Sequence, residues 1–251
     1  MGARADAGSG KPEGSVSRGP GRKLPDEYKI VFDPLESLTF AAAVTSKIRL
    51  GSSVIVLSNH YPLELGRRLA TLDVLSQGRL ICGFGVGWSQ DEVEAAGVDF
   101  QTRGRRADEF VQVMKKMWGP DPVEFSGKFF HIPSSYIGPK PVQKPHPPIV
   151  FGGFVGKTFD RVIEHGNGWN PSGVPLEHLK GMIDGMRAAA KAKGKRPEDF
   201  EVVYRAFWHP TGDEFKRMED LGVTHVILDL NFGRMKLDEV LKKMAEIKPG
   251  N

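Results

Sequence analysis

Along most of this chain the apolar positions switch between two periods, and the switches mark out its elements. Asp33-Pro34 opens a helix to about Ser46, with Asp as N-cap and Pro in the first turn. Ile48–Leu57 is an apolar, β-branched run that reads as a buried strand. Pro62–Ser76 has helical spacing, and Arg79–Phe84 is apolar again. Two strands joined by a helix of that length are parallel neighbours, because a parallel pair needs a crossover. The same reading predicts a helix over about Arg103–Trp118, a strand at Pro148–Phe151, a helix over Lys157–His165 and a short strand at Gly168–Asn170. A helix Leu176–Lys193, a strand Phe200–Phe207, a helix Asp213–Leu221, a strand His225–Leu230 and a helix Lys236–Ile247 complete the series. Six core strands alternating with helices predict a parallel sheet with helices outside it.

Two stretches break this rhythm. Residues 119–147 are proline-rich, with the short apolar pieces Val123–Phe125 and Phe129–Ile132, and are expected to form an excursion over the mouth of the strands. Residues 1–24 are rich in Gly, Ser, Pro and charge, with Val16 the one large apolar residue between the initiator and Leu24. Such a segment cannot bury a core and is expected to be disordered, leaving 25–251 as one domain. Charge sharpens that division. The tail carries five basic residues against two acidic ones, which is +3 of a net +4 for the 251 residues. The rest is close to neutral, so no basic face for nucleic acid is expected.

With 39% hydrophobic and 26% charged residues the composition is that of a globular protein. No apolar run approaches a membrane span and no signal-type segment is visible, so a cytoplasmic location is expected. The single cysteine, Cys82, lies in an apolar strand and reads as a buried, inert thiol. The seven histidines show no paired i, i+4 spacing, which argues against a metal site.

Candidate chemistry gathers where small residues follow strands. Gly51-Ser52-Ser53 interrupts the first strand, Gly83, Gly85 and Gly87 fall in and after the second, and Gly152-Gly153 follows Pro148–Phe151. Glycine at the C-terminal ends of parallel strands lets backbone approach a ligand. Gly152-Gly153-Phe154 also precedes a helix, whose free N–H groups suit a phosphate, with Lys157 adding a cation; the plainer reading is a tight strand-to-helix turn. Gly83–Trp88 lacks the third glycine of a dinucleotide fingerprint, which weakens a Rossmann reading.

The motifs IRLGSSV (Ile48–Val54), ATLDVLSQGR (Ala70–Arg79) and GFGVGW (Gly83–Trp88) resemble those of the luciferase-like monooxygenase superfamily. These are flavin- and deazaflavin-dependent oxidoreductases on a TIM-type barrel. Further matches follow in order: Arg103–Arg106 with Asp108-Glu109, Asp121–Val123, Pro139–Pro141, Pro147–Ile149 with Gly152-Gly153, and Gly166–Trp169. Together they cover about Asp33 to Ile247. The resemblance implies an incomplete (β/α)8 barrel, because the first barrel unit and the second strand of the family have no counterpart ahead of Asp33. Ile48–Leu57 and His225–Leu230 would then be exposed apolar edges, prone to self-association.

The resemblance also implies a site. The cofactor ring would lie across the strand ends, backed by a bulge in Ile48–Leu57, often with a non-prolyl cis peptide, here the Ser53–Val54 bond. Gly85, Gly87 and Trp88 match the next cofactor turn, Glu92 could face the same side, and Gly152, Gly153 and Phe154 match the phosphate turn. Trp88 reads equally as a core aromatic capping the barrel. Asn59 and His60 follow the first strand and could touch cofactor or substrate. Arg103, Arg105 and Arg106 suit a phosphate or, more plainly, pairing with Asp108 and Glu109. The acid and histidine that end the family's second strand have no match, so no catalytic residue is assigned.

The implied function is an oxidoreductase or monooxygenase using reduced coenzyme F420, or alternatively reduced FMN, on a small organic substrate, as a homo-oligomer. The rival expectation is a catalytically silent homologue acting as a binding or assembly subunit.

Overall fold

A computed structural model describes residues 31–154, 156–206 and 210–228. In chain order the elements are α1 (Pro34–Val44), β1 (Leu50–Gly51), β2 (Ile55–Val56), α2 (Pro62–Leu75), β3 (Leu80–Gly85), α3 (Gln90–Ala95) and α4 (Arg103–Trp118). There follow β4 (Val123–Ser126), β5 (His131–Ser135), β6 (Ile149–Gly152), α5 (Lys157–His165), β7 (Gly168–Asn170), α6 (Leu176–Ala192), β8 (Glu201–Ala206), α7 (Gly212–Leu221) and β9 (His225–Leu228). The tail 1–24 and the helix expected at Lys236–Ile247 lie outside the described residues.

The main sheet is parallel, in the order β1-β3-β6-β7-β8-β9, with β2 also pairing β3. Since β1 and β2 are two pieces of one interrupted strand, the sheet has six positions. It curls into a half-barrel. Alternation along the strands gives it two faces. Leu80, Cys82 and Phe84 of β3, Ile149 and Phe151 of β6, and Val202, Tyr204 and Ala206 of β8 pack outward into the main core with the helices. Ile81, Val150 and Val203 face the other way and form a small separate cluster with Ile227, an aliphatic layer on the concave face. Cys82 is fully buried, and that burial pushes its thiol pKa well up, in keeping with an inert thiol.

Local chemistry explains why the elements start and stop where they do. Asp33 caps α1 by accepting from the Leu35 and Glu36 amides, and Thr211 with Glu214 forms a capping box on α7. The end of α2 and the turn into β3 form a structural fastener. The Arg79 guanidinium donates to the carbonyls of Ala42, Thr45, Ile48 and Ser76, tying the end of α1 to the foot of β3. The Asp73 carboxylate, fully buried, accepts from the Val142 and Gln143 amides and from Gln143 Nε2 at 2.9, 3.0 and 2.6 Å.

Those bonds also locate 119–147. Its apolar pieces pair as the antiparallel hairpin β4/β5. Phe130 packs edge-on against Phe110 of α4 and Tyr61, and the Phe129 amide donates to Glu109 Oε2 at 2.7 Å. The contacts of the segment thus run along α4 and α2, from Tyr61 at the start of α2 to Asp73 near its end.

Helix α1 is apolar on nearly every side. It buries Leu35 and Ala42 but leaves Phe40 (62%), Val44 (65%) and the nearby Ile48 (55%) exposed. This patch adjoins β1, one end of the described sheet, and apolar surface at a sheet edge drives association. Light scattering on the 251-residue chain is expected to find oligomers or aggregates, and Phe40→Glu with Val44→Lys to lower the apparent mass. A monomeric parent would mean that the chain covers this face itself.

Candidate functional site

The small residues Gly51-Ser52-Ser53 were expected to interrupt the first strand, and it does break, at Ser52–Val54. The cause is a bond made far along the chain. Ser52 Oγ donates to the Gly83 carbonyl at 2.8 Å and accepts from the Gly83 amide at 3.2 Å, so a side chain stands where ladder bonding would otherwise run. Gly83 has no Cβ, and one built there would fall on Ser52 O. The Ser53–Val54 peptide is cis, as the resemblance implied.

The interrupted segment crosses the concave face. Val54 lies over β3 and β6: a Cβ at Gly85 would stand 2.7 Å from Val54 Cγ2, and one at Gly152 3.0 Å from Val54 Cγ1. Further across, Ser53 Oγ donates to Asn170 Oδ1 of β7 at 2.7 Å, and Arg205 Nη1 of β8 donates to the Ser53 carbonyl at 2.8 Å. Asn170 Nδ2 in turn donates to the Val203 carbonyl at 2.6 Å. β7 and β8 lie three and four sheet positions from the interrupted strand, so these bonds span the interior of the half-barrel. Toward the strand C-termini the inward layer therefore changes from aliphatic (Ile81, Val150, Val203) to polar (Ser53, Asn170, Arg205).

The glycines thus have a nearer reason than a ligand. Gly85 and Gly152 make room for Val54. At Gly87, φ is +87° and a Cβ would come within 2.7 Å of Val93 Cγ2. At Gly153, φ is +134° and a Cβ would come within 2.5 Å of Thr158 Oγ1. Valine at Gly153 would consequently strain the turn itself, whatever it does to a phosphate.

The rim is built from the loops after the strands. Gly87 is held by Arg103, whose Nε donates to its carbonyl at 2.9 Å while Nη1 donates to the Phe100 carbonyl. Trp88 is partly exposed, unlike the core tryptophans Trp118 and Trp169. Glu92 is exposed in the unexpected short helix α3, which Ser89 caps, and its Oε1 accepts from Asn59 Nδ2 at 2.7 Å. Next to Asn59, burial lowers the His60 pKa, with Glu64 acting the other way. Gly153 is fixed from behind, since Trp169 Nε1 donates to its carbonyl at 2.6 Å, and Phe154 is 45% exposed. Among the described residues, the expected ion pairs of the α4 arginines with Asp108 and Glu109 are not seen. Asp108 instead pairs with Arg161 of α5, and Arg106 lies over the Phe130 ring.

Sequence reasoning placed Ser53, Val54, Gly85, Gly152 and Gly153 around one mouth and Gly87, Trp88 and Glu92 along its rim. It missed Asn170 and Arg205, and read Ser52 only as one of the small residues interrupting the strand. Their signal was faint but present: Asn170 and Arg205 are polar residues in otherwise apolar strands, at register positions that face inward. Two clefts lie away from this mouth, one of about 460 Å³ beside Lys115 and Pro122 and one of about 820 Å³ along α7 and β9. Among the described residues no cluster of His, Cys, Asp or Glu could hold a metal, and no helix is long and apolar enough to cross a membrane.

Comparison with known proteins supplies the context. A family model described as luciferase-like monooxygenase matches residues 19–245. The chain is 34% identical over 211 residues to an uncharacterized protein of Mycobacterium tuberculosis (strain ATCC 25618 / H37Rv), covering 82% of this chain and 73% of that one. It is 30% identical over 165 residues to an FMNH(2)-dependent dimethylsulfone monooxygenase of Pseudomonas putida, covering 63% of this chain and 45% of the other, so it spans about half of that relative's length. An F420-dependent secondary alcohol dehydrogenase, solved with an F420–acetone adduct, shares the fold with a TM-score of 0.68 at 18% identity, over 80% of this chain and 81% of that one.

Proposed function

Because the chain belongs to the luciferase-like monooxygenase family, we propose that it is an oxidoreductase that binds reduced coenzyme F420 or reduced FMN across the strand ends and acts on a small organic substrate. One observation carries the reading. The Ser52–Val54 segment is drawn over the concave face and held from β3, β7 and β8, which makes a raised, polar-backed platform where the strands end. A flat ring with a polar edge fits such a platform. When bound, the reduced ring supplies the hydride, or the electrons for dioxygen, that the side chains themselves cannot.

The remaining roles fall to this chain's own residues. Ser53 and Val54 back the ring, while Gly85, Gly87 and Trp88 border it. Gly152, Gly153 and Phe154, ahead of α5, receive the phosphate-bearing tail at a helix N-terminus. Glu92, steadied by Asn59, stands at the rim on the same side as Gly87 and Trp88. The relative from Pseudomonas putida favours FMN and the shared fold with the alcohol dehydrogenase favours F420, so both belong in the test.

Isothermal titration of the chain with reduced F420 and with reduced FMN, under anaerobic conditions, is expected to give binding heat with one of them. The rival reading, a silent binding or assembly subunit, draws on the exposed Phe40, Val44 and Ile48. No heat with either cofactor from a folded sample would overturn the enzyme reading in its favour.

A further inference from the structure

The hydroxyl of Ser53 has a direction imposed on it. A serine hydroxyl holds one donor and two lone pairs and ordinarily rotates to suit whatever it meets. Here Asn170 takes that freedom away. The Val203 carbonyl can only accept, so the Asn170 amide must turn its NH2 toward it, at 2.6 Å. The Asn170 oxygen then faces Ser53 and can only accept, at 2.7 Å, so the Ser53 proton is committed to it. Asn170 is 1% exposed and cannot itself meet a ligand, whereas Ser53 is partly open. The Ser53 carbonyl is already engaged by Arg205. What Ser53 Oγ offers toward the mouth is lone pairs and no proton.

We propose that Ser53 Oγ, polarised through Asn170 and the Val203 carbonyl, makes this site select the reduced form of its cofactor by accepting a hydrogen bond from a ring N–H. This deepens the reading above and rests on it. Two-electron reduction of a flavin or deazaflavin turns a bare ring nitrogen, a lone-pair acceptor, into N–H. An acceptor-only hydroxyl pairs with the reduced ring and faces the oxidised one lone pair to lone pair. Asn170 is a positioning residue in this scheme, acting through Ser53. The physical advantage is release: once oxidised, the ring loses its bond to Ser53 and exchanges for a fresh reduced molecule.

The test compares dissociation constants for oxidised and reduced cofactor, FMN and F420 each, at about pH 6, where the reduced ring keeps its proton. The parent is expected to bind the reduced ring more tightly. Ser53→Ala is expected to lower that preference about tenfold, equivalent to 1.4 kcal/mol, and to stay folded at a lower melting temperature, because the buried Asn170 Oδ1 loses its donor. Ser53→Thr, which keeps the hydroxyl, is expected to restore the preference. A structural role alone would weaken both redox forms equally. If the parent binds a cofactor and Ser53→Ala leaves the reduced-to-oxidised ratio unchanged, or lowers it no more than Ser53→Thr does, the inference fails while the cofactor reading stands. If the folded parent binds neither form, the cofactor reading itself fails.

Discussion

Gly83→Ala will cost this protein its fold, or about 4 kcal/mol of stability in whatever folds. The added methyl would land on the carbonyl oxygen of Ser52, a backbone atom with nowhere to retreat, because Ser52 Oγ is itself bonded to both the amide and the carbonyl of Gly83. To admit the methyl, the interrupted strand must lift off β3, and Val54 leaves its place over Gly85 and Gly152. Urea unfolding followed by circular dichroism measures the loss, and insoluble expression would be its extreme form. Gly181→Ala provides the contrast: Gly181 sits in α6 with open space where its Cβ would go, so alanine there should be neutral or stabilise by about 0.5–1 kcal/mol. If the two variants unfold at the same urea concentration, the close approach at Gly83 is not what shapes the interrupted strand.

Asp73→Ala should cost about 2–3 kcal/mol by a different route. It deletes an acceptor that three donors converge on, leaving the Val142 and Gln143 amides and Gln143 Nε2 to find other partners. Gln143 Nε2 also donates to the Leu80 carbonyl, at the start of β3, so the loss should loosen 136–147 together with the foot of that strand. Hydrogen exchange should therefore show lost protection at Val142, Gln143 and β3 before the helices follow. Protection confined to its parent pattern would mean that other contacts hold the segment. Asp73→Asn keeps the acceptor oxygen but brings an NH2 against amide donors, and should fall between Ala and the parent.

Both effects bear on how legible this protein was. The bounds of α4, α5 and β7 were read correctly from the sequence because helical spacing and short apolar runs are local signals. Helix α3 was not read, since six residues give too little periodicity, and its N-cap bond from Ser89 is what defines it. In the run Ile48–Leu57 the small residues Gly51-Ser52-Ser53 announced the interruption, but not its cause, which is Ser52 bonding to a residue 31 positions away.

The site divides along the same line. The order of motifs was enough to place Ser53, Val54 and the glycine turns at one mouth. It could not show that Gly85 and Gly152 serve Val54 first, because the space a Cβ would fill belongs to a side chain from another strand.

By itself, then, the sequence determined the alternation of strands and helices, the family and the neighbourhood of the mouth, all of which are written in local period and in ordered motifs. Only the tertiary structure decided which atoms meet there. Asn170 and Arg205 reach Ser53 across 117 and 152 residues of chain, through the curl of a sheet that no local pattern encodes. The direction of a hydroxyl proton depends on that curl, because it is set by which acceptor the closed geometry puts beside it.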